Sequence, residues 1–411
     1  MSVRQRVVVV LALFLAPRLA LLFVRQPFFD ELFTRWISAH SYGEILRALR
    51  YDSGPPLYYF IVHALGDPPM LVTRAISLLF ATIGLIALLR AGRFTAAALL
   101  AVFPPAVLFS VDARAYALCA MFVTLAILAL ERGRPYRAAL LLVLAAYSHY
   151  YGALFFPILF FPSGYRRQPT PGRLKPALTL LLFAPGLWLA LHQPRAAMAW
   201  IGGFPGYPDV LMARPPFALA LIAASVALLA AVYVNRFAAM TLLPLGLAMA
   251  LGIYFPLRFE SVIATPLALW VAASLEKWSA TIERALITAL IAASLAICAW
   301  GILDHLRRPL DDYRAAALYL AHQAPLQERI VASGYLYLEA FAQLGSRVMA
   351  FPPEQAQHPG WRATAAAGSG LPAGAFLWIG ERAAPELLLI RRTRTVEPLF
   401  VNDRAMVARV R

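Results

Sequence analysis

Acidic residues are scarce in this chain: 21 aspartates and glutamates stand against 37 lysines and arginines over 411 residues. Charge of either sign makes up only 14% of the sequence, and soluble domains carry about 25%. An ordinary soluble fold is therefore excluded. Cysteine is almost missing too. Cys119 and Cys298 both fall inside apolar runs, so neither a disulfide framework nor a zinc site is indicated. Lysine occurs only at Lys175 and Lys277. The net charge of +16 invites a nucleic-acid reading, but the arginines are scattered over short loops between apolar runs, as in polytopic membrane proteins. No nucleic-acid partner is expected; the bilayer is.

Hydrophobic residues make up 61% of the chain, and the mean hydropathy is +0.68. Residues 5–24 form an apolar run long enough to cross roughly 30 Å of hydrocarbon. Arg4 and Arg6 stand at its amino end and no small-residue cleavage site follows, so it reads as a retained first helix rather than a signal peptide. Residues 25–69 form a mixed first loop, with helical pieces over 31–40 and 42–50. A short apolar run opens at Leu57 and suits a helix lying at the interface, with Tyr58 and Tyr59 at headgroup level. Further spans are placed near 70–90, 94–110, 116–131, 137–150, 152–163, 175–192, 216–234, 237–254, 260–275 and 284–303. That gives about eleven transmembrane helices, and the weak joint is 137–163, where two helices share about 27 residues.

Positive charge tests the scheme. Loops 90–93, 131–137, 165–175, 235–236 and 276–284 all carry basic residues and face the cytoplasm if 5–24 runs outward. Asp30, Glu31, Asp52, Asp67, Asp112, Asp209 and Glu260 then gather on the other side. From about Asp304 the character changes: helical patches over 312–323, 335–344 and 384–391 alternate with β-like runs at 329–332, 347–351, 376–379, 395–400 and 406–410. This predicts a soluble α/β domain over 304–411 beyond a transmembrane domain over 1–303, on the Asp30 side of the membrane.

Asp30 and Glu31 are adjacent carboxylates beside a span, a costly place for charge. Asp52, Tyr58, Asp112, Arg114, His149, Tyr150 and Arg258 come from separate stretches to the same predicted depth. A transporter would carry ionisable groups in mid-span; these helix centres look almost entirely apolar, which favours an enzyme working at the membrane surface. A transporter or lipid flippase remains the alternative, and a scaffold with the tail as docking surface is a third.

The Asp30-Glu31 pair, followed by Asp52-Ser53-Gly54-Pro55-Pro56-Leu57-Tyr58-Tyr59, resembles the first extracytoplasmic loop of GT-C superfamily glycosyltransferases. The similarity is to the protein O-mannosyltransferase-like branch, with the lipid A aminoarabinose transferase as a relative. Asp112-Ala113-Arg114-Ala115-Tyr116, Ser148-His149-Tyr150-Tyr151, Arg258-Phe259 and Asp312-Tyr313-Arg314-Ala315-Ala316 extend it along the chain. The resemblance implies a GT-C fold in an inner membrane with its active site facing the periplasm. It also implies inverting transfer of a sugar from a polyprenyl-phosphate-sugar donor to a glycan, lipid or protein acceptor. A phosphodiester leaving group needs no proton, so one carboxylate suffices as general base, and Asp30 matches that position. Glu31 would assist it. Arg258, Arg114 and His149 are the cationic candidates for the phosphate. The sequence departs from the pattern at Gly54, where many relatives carry His or Lys. No ligand spacing indicates a metal or other cofactor. The 193–215 loop, with Trp200, is a candidate lid.

Overall fold

In the computed structural model the described residues are 2–160, 171–193, 233, 235–307, 312–324, 330–333, 336–351, 376–379, 391–392, 394–401 and 405–411. Helix α1 (Val3–Val24) starts in a capping box, with Ser2 Oγ accepting from the Gln5 N–H at 3.2 Å and Gln5 Oε1 from the Ser2 N–H at 2.8 Å. The two orphan donors at its amino end are thereby satisfied. Three short helices follow, α2 (Phe29–Ser38), α3 (Tyr42–Ala48) and α4 (Leu57–His63). Pro55-Pro56 delays the last of these until Leu57, since proline lacks the donor that a helix interior needs.

Among the described residues four helical stretches are long and apolar enough to cross a membrane: α1, α5 (Met70–Arg90), Lys175–His192 and α14 (Ala280–Arg307). Shorter apolar helices are α8 (Tyr116–Glu131), α9 (Pro135–Ser148), a tight 3-10 segment over Tyr150–Phe160 and α12 (Arg236–Ala250). Lys175–His192 is assembled from α10 (Pro171–Leu178), a 3-10 turn and α11 (Ala184–His192). The run predicted over 94–110 is broken into α6 (Phe94–Val102) and α7 (Pro104–Phe109), because Pro104 and Pro105 supply no amide hydrogens there. The joint at 137–163 resolves into two segments folded back on each other at His149. They pack so closely that a Cβ on Gly152 would lie 2.3 Å from the Ala145 carbonyl carbon. The expected span at 216–234 apart from Tyr233, the candidate lid with Trp200 apart from its first residue, and the helical patch at 384–391 apart from Arg391 lie outside the described residues.

Helix α8 is apolar all round and buried nearly all round, with Leu118, Val123, Ala126 and Ile127 sealed from solvent. It is the centre of the bundle. Helix α13 (Arg258–Leu275) packs beside it, with Phe259, Val262 and Leu275 buried. On α1 and α5, by contrast, Val8, Phe23, Leu79 and Ile83 face outward, as a lipid-facing surface requires.

Beside α15 (Asp312–Gln323) and α16 (Leu336–Leu344) the described residues of the tail form a five-stranded sheet. Its strands are β1 (Ile330–Ser333), β2 (Val348–Phe351), β3 (Phe376–Ile379), β4 (Val396–Val401) and β5 (Met406–Val410), in spatial order β2-β1-β3-β5-β4. β1 is parallel to β2 and β3, while β5 runs antiparallel to β3 and β4. These elements fall where the alternation of runs predicted them. The tail docks on the first loop: Leu338 of α16 joins Phe33, Ile37, Ile45, Leu49 and Tyr59 in one buried cluster. Each such side chain withdrawn from water stabilises the contact by about 1.5–3 kcal/mol.

Candidate active site

The site is built at the amino end of α2. Phe28 stands at the N-cap and Asp30 and Glu31 occupy the first turn, where the helix dipole favours negative charge. The two neighbours then point to different partners. Asp30 Oδ2 meets Arg258 Nη2 at 2.8 Å, an ion pair without an aligned N–H on that oxygen. The Asp30 carbonyl accepts from Thr34 Oγ1 at 3.0 Å and from Arg114 Nη1 at 3.3 Å. Burial alone pushes the Asp30 carboxyl upward, but Arg258 and Arg114 more than offset it and hold the group below its ordinary value. Asp30 is therefore ionised at neutral pH.

Glu31 is fully buried and fully used. Its two oxygens accept a bidentate pair from Arg74, Nε at 2.7 Å and Nη2 at 2.6 Å. They accept also from the Ala113 N–H at 2.9 Å and, at the edge of hydrogen-bonding range, from the Phe28 N–H at 3.4 Å. Arg74 in turn donates to the carbonyls of Arg25 and Gln26 at 2.8 and 3.1 Å. Glu31 is thus the knot tying α2 to α5 and to the loop before α8; it is neither paired with Arg35 nor open to a ligand. Arg35 lies instead 3.4 Å from Asp67.

Asp112 and Arg114 do not neutralise each other. Asp112 is fully buried and pairs with Arg25, and Arg114 donates to Tyr59 Oη at 3.1 Å. Asp52 sits half-buried within electrostatic reach of both Arg114 and Asp30; burial raises its carboxyl and Arg114 pulls it back. A Cβ on Gly54 would meet Tyr59 Oη at 3.3 Å and Asp52 Oδ2 at 3.5 Å. Tyr59 and Asp52 thus crowd the place where a basic side chain was missed in the sequence, and Arg114 brings a guanidinium to the same hydroxyl.

Tyr58 and Tyr59 are packed inside the protein rather than exposed on its surface. Both rings are buried, and the Tyr58 hydroxyl is 2.7 Å from Ser77 Oγ on α5. His149 is the turn residue after α9. Its Nδ1 accepts from the Tyr151 N–H at 3.2 Å, which leaves Nε2–H to donate as a neutral ring rather than a cation. The imidazole lies between Tyr116 and Tyr151, with centroids 4.9 and 4.4 Å away. Tyr150 places its buried hydroxyl beside the Gln193 side chain and within electrostatic reach of Asp52.

Arg258 opens α13, and the residue before it is strained: Leu257 has φ 68° and ψ −42°. Such a backbone costs a non-glycine residue of order 1–3 kcal/mol and is kept where the surroundings over-determine it. Its effect is to start the helix so that Arg258 reaches back to Asp30, to Tyr116 Oη at 3.3 Å and over the Phe255 ring at 4.6 Å. Carboxylate and guanidinia from α2, α13 and the 110–115 loop thus converge on one point.

Sequence reasoning missed Arg74, Arg25 and Gln193. An arginine five residues into a membrane-length run was the available signal for Arg74. Gln193, at the end of α11, donates to the carbonyls of Leu49 and Gly54 at 2.7 and 3.0 Å and braces the Asp52 turn. The expectation of apolar helix centres also needs correcting. Arg18, inside α1, is fully buried and donates to Ser110 Oγ, the Phe14 carbonyl and the Ala101 carbonyl at 2.8, 2.9 and 2.6 Å. Thr124 and Thr265 pair with each other at 2.7 Å. These mid-span groups satisfy one another, which is packing chemistry rather than a translocation path.

No protein-family model matches the sequence, and no curated protein matches it. Solved structures do. The crystal structure of ArnT from Cupriavidus metallidurans bound to undecaprenyl phosphate superposes with a TM-score of 0.59 at 13% identity, over 98% of this chain and 97% of that one. The apo form of the same protein gives 0.60 at 12% identity over the same shares. The chain is a predominantly helical membrane protein with the overall fold of ArnT.

Proposed function

We propose that the chain is an inverting GT-C glycosyltransferase of the protein O-mannosyltransferase-like branch. It takes a sugar from a polyprenyl-phosphate-sugar donor and passes it to an acceptor hydroxyl at the extracytoplasmic face. The observation that carries the reading is the Asp30 carboxylate 2.8 Å from Arg258, with Arg114 on the same residue's carbonyl, in a chain whose fold matches ArnT along almost its whole length. In the proposed step Asp30 accepts the acceptor's proton as the acceptor oxygen attacks the anomeric carbon from the face opposite the phosphate. The carbon–oxygen bond to phosphate breaks, and the lipid phosphate leaves with the electron pair and needs no proton. The charge growing on it is met by Arg258 and Arg114, with the neutral Nε2–H of His149 as a further donor. As Arg258 turns to the phosphate it releases Asp30, whose basicity then rises at the moment a proton must be taken. Positive charge for the step comes from the arginines; no metal is invoked. Glu31 holds the carboxylate's helix in place through Arg74, and Asp52, Tyr59 and Tyr150 frame the acceptor side.

The two-unit division at about residue 303, the inner-membrane location and the periplasmic placement of site and tail belong to the same reading. The charge asymmetry of the loops supports the placement, and the change from long apolar helices to short alternating strands and helices supports the division. Incubation of the purified protein with a panel of polyprenyl-phosphate sugars should release sugar onto an envelope acceptor. The Asp30→Asn variant should lose transfer by at least about 10³-fold while keeping the wild-type melting profile. Full activity in a well-folded Asp30→Asn protein would sink the mechanism. Sugar-independent movement of lipid across vesicles would instead favour a flippase.

A further inference from the structure

At the end of the bundle away from Asp30 lies a cavity of about 340 Å³ between α5 and α8, within the range of ligand-binding pockets, roughly 300–1,000 Å³. Ile83, Ile86, Leu125 and Leu128 make its walls apolar. Ala87 and Ala129 leave room between them, and Arg90, Arg132, Arg134 and Arg137 complete the lining. Helix α5 runs from Arg74, which holds Glu31, to Arg90, a distance of about 24 Å at 1.5 Å per residue. The cavity is therefore remote from the proposed chemistry and has no part in it.

All four arginines are exposed, and among the described residues none has a carboxylate partner. The acid beside them in sequence, Glu131, is already taken by Arg93 at 2.7 Å and by Arg236. Positive loops alone would satisfy membrane topology wherever their arginines lay. Here the end of α5, the loop after α8 and the start of α9 direct theirs to one apolar slot. An apolar slot with an uncompensated cationic lining matches a ligand with an acyl chain and an anionic head. Guanidinia bind phosphate bidentately, and basic pockets between spanning helices are how membrane proteins hold anionic head groups.

We infer that this cleft binds an anionic phospholipid of the leaflet opposite the Asp30 site. An acyl chain lies between α5 and α8, and the phosphate lies among Arg90, Arg132, Arg134 and Arg137. The inference does not depend on the transfer reaction. It is tested with the full chain in neutral detergent, titrated with phosphatidylglycerol, with phosphatidylcholine of the same chains, and with glycerol 3-phosphate, bound lipid being counted by native mass spectrometry. Phosphatidylglycerol should bind saturably and at least about tenfold more tightly than phosphatidylcholine, and glycerol 3-phosphate should not displace it. Neutralising Arg134 and Arg137 with Gln should weaken binding by about fivefold per residue. Ala87→Trp, which fills the slot and keeps every charge, should also abolish tight binding. Equal binding of the two lipids overturns the inference. So does displacement by glycerol 3-phosphate, or undiminished phosphatidylglycerol binding in either variant.

Discussion

The two ends of the bundle use arginine in opposite ways. At the Asp30 end three guanidinia are matched to carboxylates from distant parts of the chain, Arg25 to Asp112, Arg74 to Glu31 and Arg258 to Asp30, and Arg114 binds the Tyr59 hydroxyl and the Asp30 carbonyl. At the far end Glu131 binds two arginines and leaves four others facing outward. The first arrangement fixes geometry, because a buried ion must find its counter-ion and does so in few ways. The second fixes little inside the protein and offers its charge to the surroundings. Function at the first end follows from which pairs are permanent and which can open.

Glu31 with Arg74 is the permanent pair, and breaking it should have the largest effect on folding. Removing one member of a buried, bidentate pair typically costs about 3–5 kcal/mol, because the other is left charged and unpartnered. Arg74→Ala and Glu31→Gln should therefore lower the melting temperature in detergent by many degrees and reduce folded yield. If Glu31 instead acted on the acceptor, Glu31→Gln would melt like the wild type and lose only activity. Thermal unfolding followed by tryptophan fluorescence separates the two cases.

Much of the frame was legible in the chain because hydrophobic length is a local property. Val3–Val24, Met70–Arg90, Lys175–His192 and Ala280–Arg307 all lie where apolar runs placed them, and all five tail strands lie at the β-like runs. The adjacency of Asp30 and Glu31 was legible as well, but their division of labour was not. Which of two neighbouring carboxylates faces the site depends on Arg74 and Arg258, 43 and 228 positions away, and no window of sequence contains that information. Asp112 and Arg114 illustrate the same limit: two residues apart in the chain, they bind Arg25 and Tyr59 rather than each other.

Arg258 with Asp30 is the pair proposed to open, and a milder change should show it. Transfer requires Asp30 ionised, and Arg258 is the leading cause holding its carboxyl below the ordinary range against burial. In Arg258→Gln that pull is gone and the upward push of burial remains, so the Asp30 value rises. The acid limb of the pH–rate profile should then move to higher pH, separately from any fall in kcat through weaker phosphate contact. An unmoved acid limb would mean that the ion pair is a resting contact with no influence on the base.

The exposed pair of Arg35 with Asp67 marks the lower bound. The side chains are 38% and 56% exposed and 3.4 Å apart, and ion pairs of this kind contribute about 0–1 kcal/mol. Asp67 also holds φ 53°, a left-handed backbone that costs most L-residues about 1–2 kcal/mol, aspartate less, and glycine nothing, while the freer unfolded chain of a glycine takes back about 0.4–1 kcal/mol. In Asp67→Gly the lost ion pair and the relieved strain nearly cancel, and the net change in stability should stay within about 0.5 kcal/mol. Arg35→Ala loses the pair without that relief, so it should be the more destabilising of the two by a few tenths of a kcal/mol. A large loss of transfer in Arg35→Ala, with melting unchanged, would move Arg35 from the loop surface into the machinery around Asp30.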